Sequence, residues 1–279
     1  MSVDNFDTVD LLSGDTFMVT WDTGRRCNYD CSYCPAHRHD NFSPHATLDE
    51  LKNGADFLFE YAKTIMPIRN WKWCNVSFTG GEPTVNPNFL PFVKYLRELY
   101  ERKYTEDFNL NLTLTSNGAM SKKTADGIME LMSHATISYH VEASKKVKDN
   151  VIKIIEHMNA NKNFNLKVNV MFHAQEDYFN ECINLCEYFD STGIKYVPRV
   201  IGEEPDSKPT LAHKYTEEQL QWFKDFWNRD TAKQNNDKPK SQCNAEYCAS
   251  SASKEVPVIK NEKQHGSNIG RPCCGGRQM

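Results

Sequence analysis

Three cysteines stand within eight residues, Cys27-Asn28-Tyr29-Asp30-Cys31-Ser32-Tyr33-Cys34, spaced C-x3-C-x2-C. So short a loop can wrap one metal centre without help from distant sequence. Thiolates are soft ligands and suit iron–sulfur clusters or zinc. A structural zinc site normally closes with four protein ligands, and the loop offers three thiols. A four-iron cluster held by three cysteines keeps one iron open to a cofactor or substrate. The aromatic Tyr33, just before the last cysteine, is placed to pack beside that cofactor. The competing reading is a zinc knuckle whose fourth ligand is His37 or His39.

A second group follows in Thr79-Gly80-Gly81-Glu82-Pro83-Thr84. Two glycines let the backbone approach a ligand closely and adopt positive φ. Glu82 supplies an anion at a strand end, and Pro83 fixes the exit. By itself the segment reads equally as a turn opening a helix. Ser116-Asn117-Gly118 ends the next strand, and small polar side chains there can hydrogen-bond a ribose or carboxylate or simply form a polar turn. His140 and Glu142 close the strand after that. Ser138 and His140 share one face by the two-residue period, and His140 reads either as a site residue or as a satisfied core histidine. Arg199 is a candidate for a carboxylate, because a guanidinium makes bidentate contacts with one, or for a structural salt bridge.

With these residues in view, the chain resembles the radical S-adenosylmethionine (radical SAM) superfamily. The resemblance rests on Cys27, Cys31 and Cys34 with Tyr33 between the last two, and on Gly80-Gly81-Glu82-Pro83 one helix and one strand later. It implies that the three thiolates hold a [4Fe–4S] cluster whose open iron chelates the amino and carboxylate groups of SAM. It implies that the Gly-Gly-Glu-Pro segment binds the SAM amino group. Ser116, Asn117, His140 and Arg199 become candidate SAM contacts. One electron cleaves SAM to methionine and a 5′-deoxyadenosyl radical, which abstracts hydrogen from a substrate. An electron donor such as flavodoxin or ferredoxin is implied as a partner.

The elements that must position these groups alternate. Strands are expected over Thr16–Thr20, Lys72–Phe78, Phe108–Thr115, Ala135–Val141, Asn165–His173 and Lys195–Ile201. In the third, Leu110, Leu112 and Leu114 face one way and the asparagines and threonines the other. Helices are expected over Thr47–Ile65, Asn88–Arg102, Lys122–Met132, Lys146–Ala160 and Asp177–Tyr188, the first opened by a Thr47/Glu50 capping box. Six strand–helix units predict an α/β fold with a parallel sheet, resembling the partial (β/α)6 TIM-type barrel of the radical SAM core. Each motif then falls at a C-terminal strand end, where barrel active sites lie. Cys74, Cys182 and Cys186 read as core thiols, since buried free cysteine behaves as a small hydrophobe.

The core domain is expected over residues 1–205 and a small, irregular extension over 206–279, after the proline-bearing break at Gly202–Pro209. An aromatic helix is expected over Glu217–Trp227 and a polar loop over Ala232–Gln242. Cys243, Cys248, Cys273 and Cys274 suggest a second metal site: an auxiliary iron–sulfur cluster of the SPASM or twitch kind, zinc, or no metal. No full SPASM spacing aligns, and the chain stops at Met279, as a truncated product would.

Composition narrows the partners. Hydrophobic content of 39% supports a core, and the net charge of −4 argues against large nucleic acids, which need basic surfaces. No run approaches the roughly 20 apolar residues of a membrane span, and a cytoplasmic location is the default. Ten cysteines in such a chain point to metal rather than disulfides. The substrate is expected to be a peptide, with a small molecule or nucleotide as the alternative, and a non-catalytic metal-binding scaffold as the reading from another class.

Overall fold

The computed structural model describes residues 14–202 and 210–237. Six strands form one sheet in sequence order: β1 (Thr16–Asp22), β2 (Trp73–Thr79), β3 (Asn109–Ser116), β4 (His134–His140), β5 (Asn165–Phe172) and β6 (Tyr196–Val200). Every neighbouring pair is parallel. Parallel neighbours require crossovers, and a helix supplies each from α1 (Leu48–Arg69) through α2 (Phe89–Lys103), α3 (Lys122–Leu131), α4 (Lys145–Ala160) and α5 (Glu176–Thr192). β1 and β6 do not pair, so the sheet is an open, partial TIM-type barrel, as the alternation predicts.

Each strand is two-faced. On β3, Leu110, Leu112 and Leu114 are buried, while on β5 Leu166, Val168, Val170 and Phe172 are buried and alternate with half-buried Lys167, Asn169 and Met171. The apolar faces meet Phe59, Phe92, Leu96, Ile128, Ile155 and Phe189 of the helices in one core. The polar faces line the inside of the barrel. Cys74, Cys182 and Cys186 are buried in the core, as expected.

α1 is capped as its sequence predicts: Glu50 N donates to Thr47 Oγ1 at 3.3 Å and Thr47 N to Glu50 Oε2 at 2.8 Å. It runs past Ile65, through Pro67, and stops at Asn70 in the left-handed conformation. β1 extends beyond Thr20 to Asp22, and the added Trp21 packs on Phe92 with ring centroids 4.9 Å apart.

The described residues up to Phe226 belong to one compact unit. The segment after Pro209 returns to the barrel. Tyr215 Oη donates to Phe172 O at 2.6 Å and accepts from Ile201 N at 2.9 Å, and Gln219 Nε2 donates to Ala174 O at 2.9 Å. The aromatic helix α6 (Glu217–Asp237) then lays Trp222 and Phe223 on Phe172, at 4.8 and 5.1 Å between centroids. The loop expected from Ala232 is helical as far as Asp237. Its residues include helix formers and contain no glycine or proline before Pro239, and a proline disfavours helix in the residue before it. The expected boundary at 205/206 and Cys243, Cys248, Cys273 and Cys274 lie outside the described residues.

Candidate functional site

The C-terminal ends of the strands surround a cavity of about 360 Å³. Cys27, Cys31 and Cys34 line it, with Tyr29 and Tyr33 between them. So do Gly80, Gly81 and Glu82 after β2, Ser116 and Asn117 at the end of β3, and Ser138 and His140 on β4. These groups, from Cys27 to His140, lie up to 113 residues apart in the chain, a distance the barrel closes because parallel strands put all their C-terminal ends on one side.

The cysteine loop is fixed at its base. Cys27 N donates to Asp40 O at 2.7 Å and Asp40 N to Arg25 O at 3.0 Å, so the loop leaves and returns through one backbone bridge. Asp40 also accepts from Ser43 N at 2.8 Å and Ser43 Oγ at 2.6 Å, which holds its carboxyl below the usual range. Inside the loop, Cys34 N donates to Cys31 O at 3.0 Å. Farther round, Ser32 N donates to Glu142 Oε2 at 2.8 Å, and Glu142 Oε1 lies 3.5 Å from His173 Nε2. His173 Nδ1 accepts from Gln175 N at 3.0 Å, which leaves the proton on Nε2, facing the carboxylate. Glu142, at the end of β4, therefore anchors the cysteine loop rather than lining the cavity.

The glycines of the second motif serve this anchoring. Gly81 N donates to Gly24 O at 2.7 Å and Glu82 N to Arg26 O at 2.9 Å. A Cβ on Gly81 would lie 2.4 Å from both Arg25 O and Arg26 O, and one on Gly80, at φ +131°, 2.7 Å from Gly24 O. The close approach that glycine permits is thus to the backbone leading into the cysteine loop. The sequence suggests approach to a ligand, because it cannot show which backbone comes near.

Glu82 is buried, 2% exposed. It accepts from Thr84 Oγ1 at 2.6 Å, Thr84 N at 3.0 Å, Ser116 Oγ at 2.8 Å and Asn117 N at 2.6 Å. All four donors are neutral. Among the described residues no ion pair joins it, and burial pushes its carboxyl up against the pull of those hydrogen bonds. A buried carboxylate without a cation is costly, and it faces the cavity.

Asn117 ties two motifs together. Its Nδ2 donates to Asn28 Oδ1 at 2.7 Å and lies 3.8 Å from Cys27 Sγ, while Asn28 Nδ2 donates to Ala119 O at 3.3 Å. His140 meets the loop on the far side. Its Nδ1 is in hydrogen-bond contact with Tyr33 Oη and lies 3.6 Å from Cys31 Sγ. Its ring stacks on Tyr33 and takes Tyr29 edge-on. Burial pushes His140 down to about 4 and the Cys31 thiol up to about 12, so the imidazole is neutral at pH 7.

Arg199 is not brought to the cavity. Its Nε donates to Asn169 Oδ1 at 3.3 Å on the inner face of the barrel. Conversely, the cavity includes Thr79, Thr115, Met171, Val200 and Ile201, which the motifs do not mark. They occupy ordinary strand positions, and only strand order and the inward period could have pointed to them.

The histidines of the zinc reading are held otherwise. His39 Nε2 is 3.1 Å from Asp30 Oδ1 and its Nδ1 3.3 Å from Pro35 O, and His37 is exposed. Among the described residues no three histidine, cysteine or acidic side chains converge on a single ion. Three soft thiols around a cavity, with a buried carboxylate lacking a cation, fit a wider cluster with an ammonium-bearing cofactor beside it.

A family model for the radical SAM superfamily matches residues 21–186, more than half of the chain. The chain belongs to the radical SAM superfamily. The matched span of this radical SAM chain runs from the end of β1 into α5 and includes both motifs. Among solved structures, native anSMEcpe with bound AdoMet aligns with a TM-score of 0.57 at 16% identity, over 79% of this chain and 63% of that one. The same protein with bound AdoMet and Cp18Cys peptide aligns at 0.56 and 17% identity, over 79% and 61%. At such identities the likeness is one of fold. The chain spans about three fifths of the length of these structures.

Proposed function

We propose that the chain is a radical SAM enzyme that holds a [4Fe–4S] cluster on Cys27, Cys31 and Cys34 and binds SAM in the same cavity. One observation carries the reading: the three thiols and the buried Glu82, which has no ion pair among the described residues, line a single cavity at the C-terminal end of the barrel. When bound, the cluster and SAM supply one-electron cleavage to methionine and a 5′-deoxyadenosyl radical that takes a hydrogen atom from the substrate.

The protein's own work is to bind, orient and exclude water. Glu82, held in place by four hydrogen-bond donors, would receive the SAM ammonium, whose charge would offset the burial that pushes its carboxyl up. Ser116 and Asn117 keep that carboxylate in place, and Asn117 also holds the loop beside Cys27. Tyr33 and His140 wall the side nearest Cys31 with neutral groups. The inner faces of β4 and β5, through Ser138 and Met171, border the space where the substrate C–H bond must come.

The substrate is a peptide in this reading. Support is limited to fold: a structure of the same architecture carries a bound peptide. Cys243, Cys248, Cys273 and Cys274 would hold an auxiliary cluster, and a flavodoxin or ferredoxin would supply the electron.

The test is anaerobic. The full chain is reconstituted, reduced with dithionite and given SAM, and 5′-deoxyadenosine is measured beside Cys31→Ala. Product from the unmutated protein alone supports the reading. A colourless protein with stoichiometric zinc and no product overturns it.

A further inference from the structure

The inner wall of the barrel changes character away from the cavity. Ser138 and Met171 line the cavity, and register continues their face down the strands. Asn169 is paired with Ser138 and lies two residues before Met171, and Lys167 is two residues farther on the same face. On β6, Arg199 is level with Met171, and its guanidinium turns back to Asn169 Oδ1 at 3.3 Å. Lys167 and the guanidinium of Arg199 thus share the inner face around Asn169, close enough for the two charges to be felt, beyond the residues that line the cavity.

Among the described residues no carboxylate pairs with either cation. Lys167 is half-buried, and among the described residues its ammonium has no hydrogen bond or ion pair. Burial and the charge of Arg199 both push its pKa down. The remaining inward positions of β4, β5 and β6 carry histidine, threonine, serine, asparagine, methionine and valine, and no carboxylate. Glu142, beyond the end of β4, is engaged by Ser32 N and His173. Two like charges held together cost stability, and a bound anion reverses that cost. A guanidinium already steadied by one amide is preorganised to take a carboxylate or phosphate.

We propose that Lys167, Arg199 and Asn169 form the subsite for an anionic group of the substrate, a carboxylate or a phosphate, set below the cavity so that the neighbouring part of the substrate lies at Ser138 and Met171. The proposal rests on the radical SAM reading of that cavity and adds the charge of the molecule it accepts. An acidic side chain of a peptide supplies such a group, and so does a phosphorylated small molecule.

The experiment uses the full chain, anaerobically reconstituted, with SAM present and the cluster oxidised. Lysines are labelled with 13C at Cε, and the Lys167 signal is assigned from Lys167→Gln. Inorganic phosphate and acetate are titrated separately at constant ionic strength against chloride. The Lys167 signal is expected to shift saturably, with binding about tenfold weaker in Arg199→Gln, the loss of one charged contact. Saturation by phosphate alone assigns a phosphorylated substrate, and saturation by acetate a carboxylate. No saturable shift with either anion, or a response unchanged in folded Arg199→Gln, overturns the subsite. The two readings fail separately. A protein that makes 5′-deoxyadenosine but shows no Lys167 response loses the subsite alone. A protein that shows the response but yields no 5′-deoxyadenosine loses the function alone.

Discussion

The two halves of the barrel build their shares of the cavity differently. The ends of β1, β2 and β3 are locked to one another through backbone: Gly81 N on Gly24 O, Glu82 N on Arg26 O, and Asn117 N on the Glu82 carboxylate. The ends of β4, β5 and β6 meet the cavity through side chains at ordinary strand positions, such as Ser138, His140 and Met171. Backbone packed this closely restricts residue type, and so leaves a motif. A side chain standing on a strand can be exchanged without moving the strand, and leaves none. The first half is suited to an invariant cofactor, the second to one particular substrate.

The largest effect expected from breaking this contrast is in Gly81→Ala. Its Cβ would meet two backbone oxygens at 2.4 Å, and neither can move without releasing the cysteine loop. Overpacking of this kind costs about 3 kcal/mol. Iron and sulfide per chain are expected to fall sharply after reconstitution, together with the melting temperature; unchanged values would show that the loop is not held by this contact.

Next in size is Glu82→Gln. The amide keeps the shape of the carboxyl and loses its charge, so the SAM ammonium forfeits a charge-assisted bond worth about 2 kcal/mol, roughly thirtyfold in affinity. Calorimetric titration with SAM checks this, and equal affinity for both proteins would remove Glu82 from SAM binding.

The smallest effect concerns the side-chain anchor from the second half. Glu142→Ala removes the acceptor of Ser32 N, and hydrogen exchange at that amide is expected to quicken while the fold persists. The linked His173 sets a pH dependence. Burial holds its folded pKa below the ordinary 6.5, so the unfolded chain takes up the proton first. Folding stability therefore falls as pH drops through about 6.5 towards the folded value. Denaturant melts at several pH values should show this slope, reduced in His173→Gln. An identical slope in both would assign it to other groups.

Much of this was legible in the chain. Alternation of Leu110, Leu112 and Leu114 with polar neighbours marks β3, Thr47 and Glu50 mark the start of α1, and strand–helix repetition marks the parallel sheet. The α6 end was misjudged because polar residues that form helix read as loop. Arg199 was a candidate for the SAM carboxylate or for a structural salt bridge on side-chain chemistry, whereas its strand position turns it to Asn169.

The sequence by itself pointed to a soft-metal loop and to a family resemblance that implies the cofactor, because ligand spacing within one loop and the glycines of one turn are local constraints. Three thiols in eight residues need no fold to suggest a cluster. Tertiary structure decided everything that depends on which distant groups become neighbours. It seated the cysteine loop on Gly80 and Gly81, which also line the cavity, and made Glu142 its clamp. It brought His140 to Cys31 and put Lys167 and Arg199 on one inner face of the barrel. Those relations arise from strand order and register, which place residues far apart in the chain on adjoining strands and which no short stretch of sequence encodes.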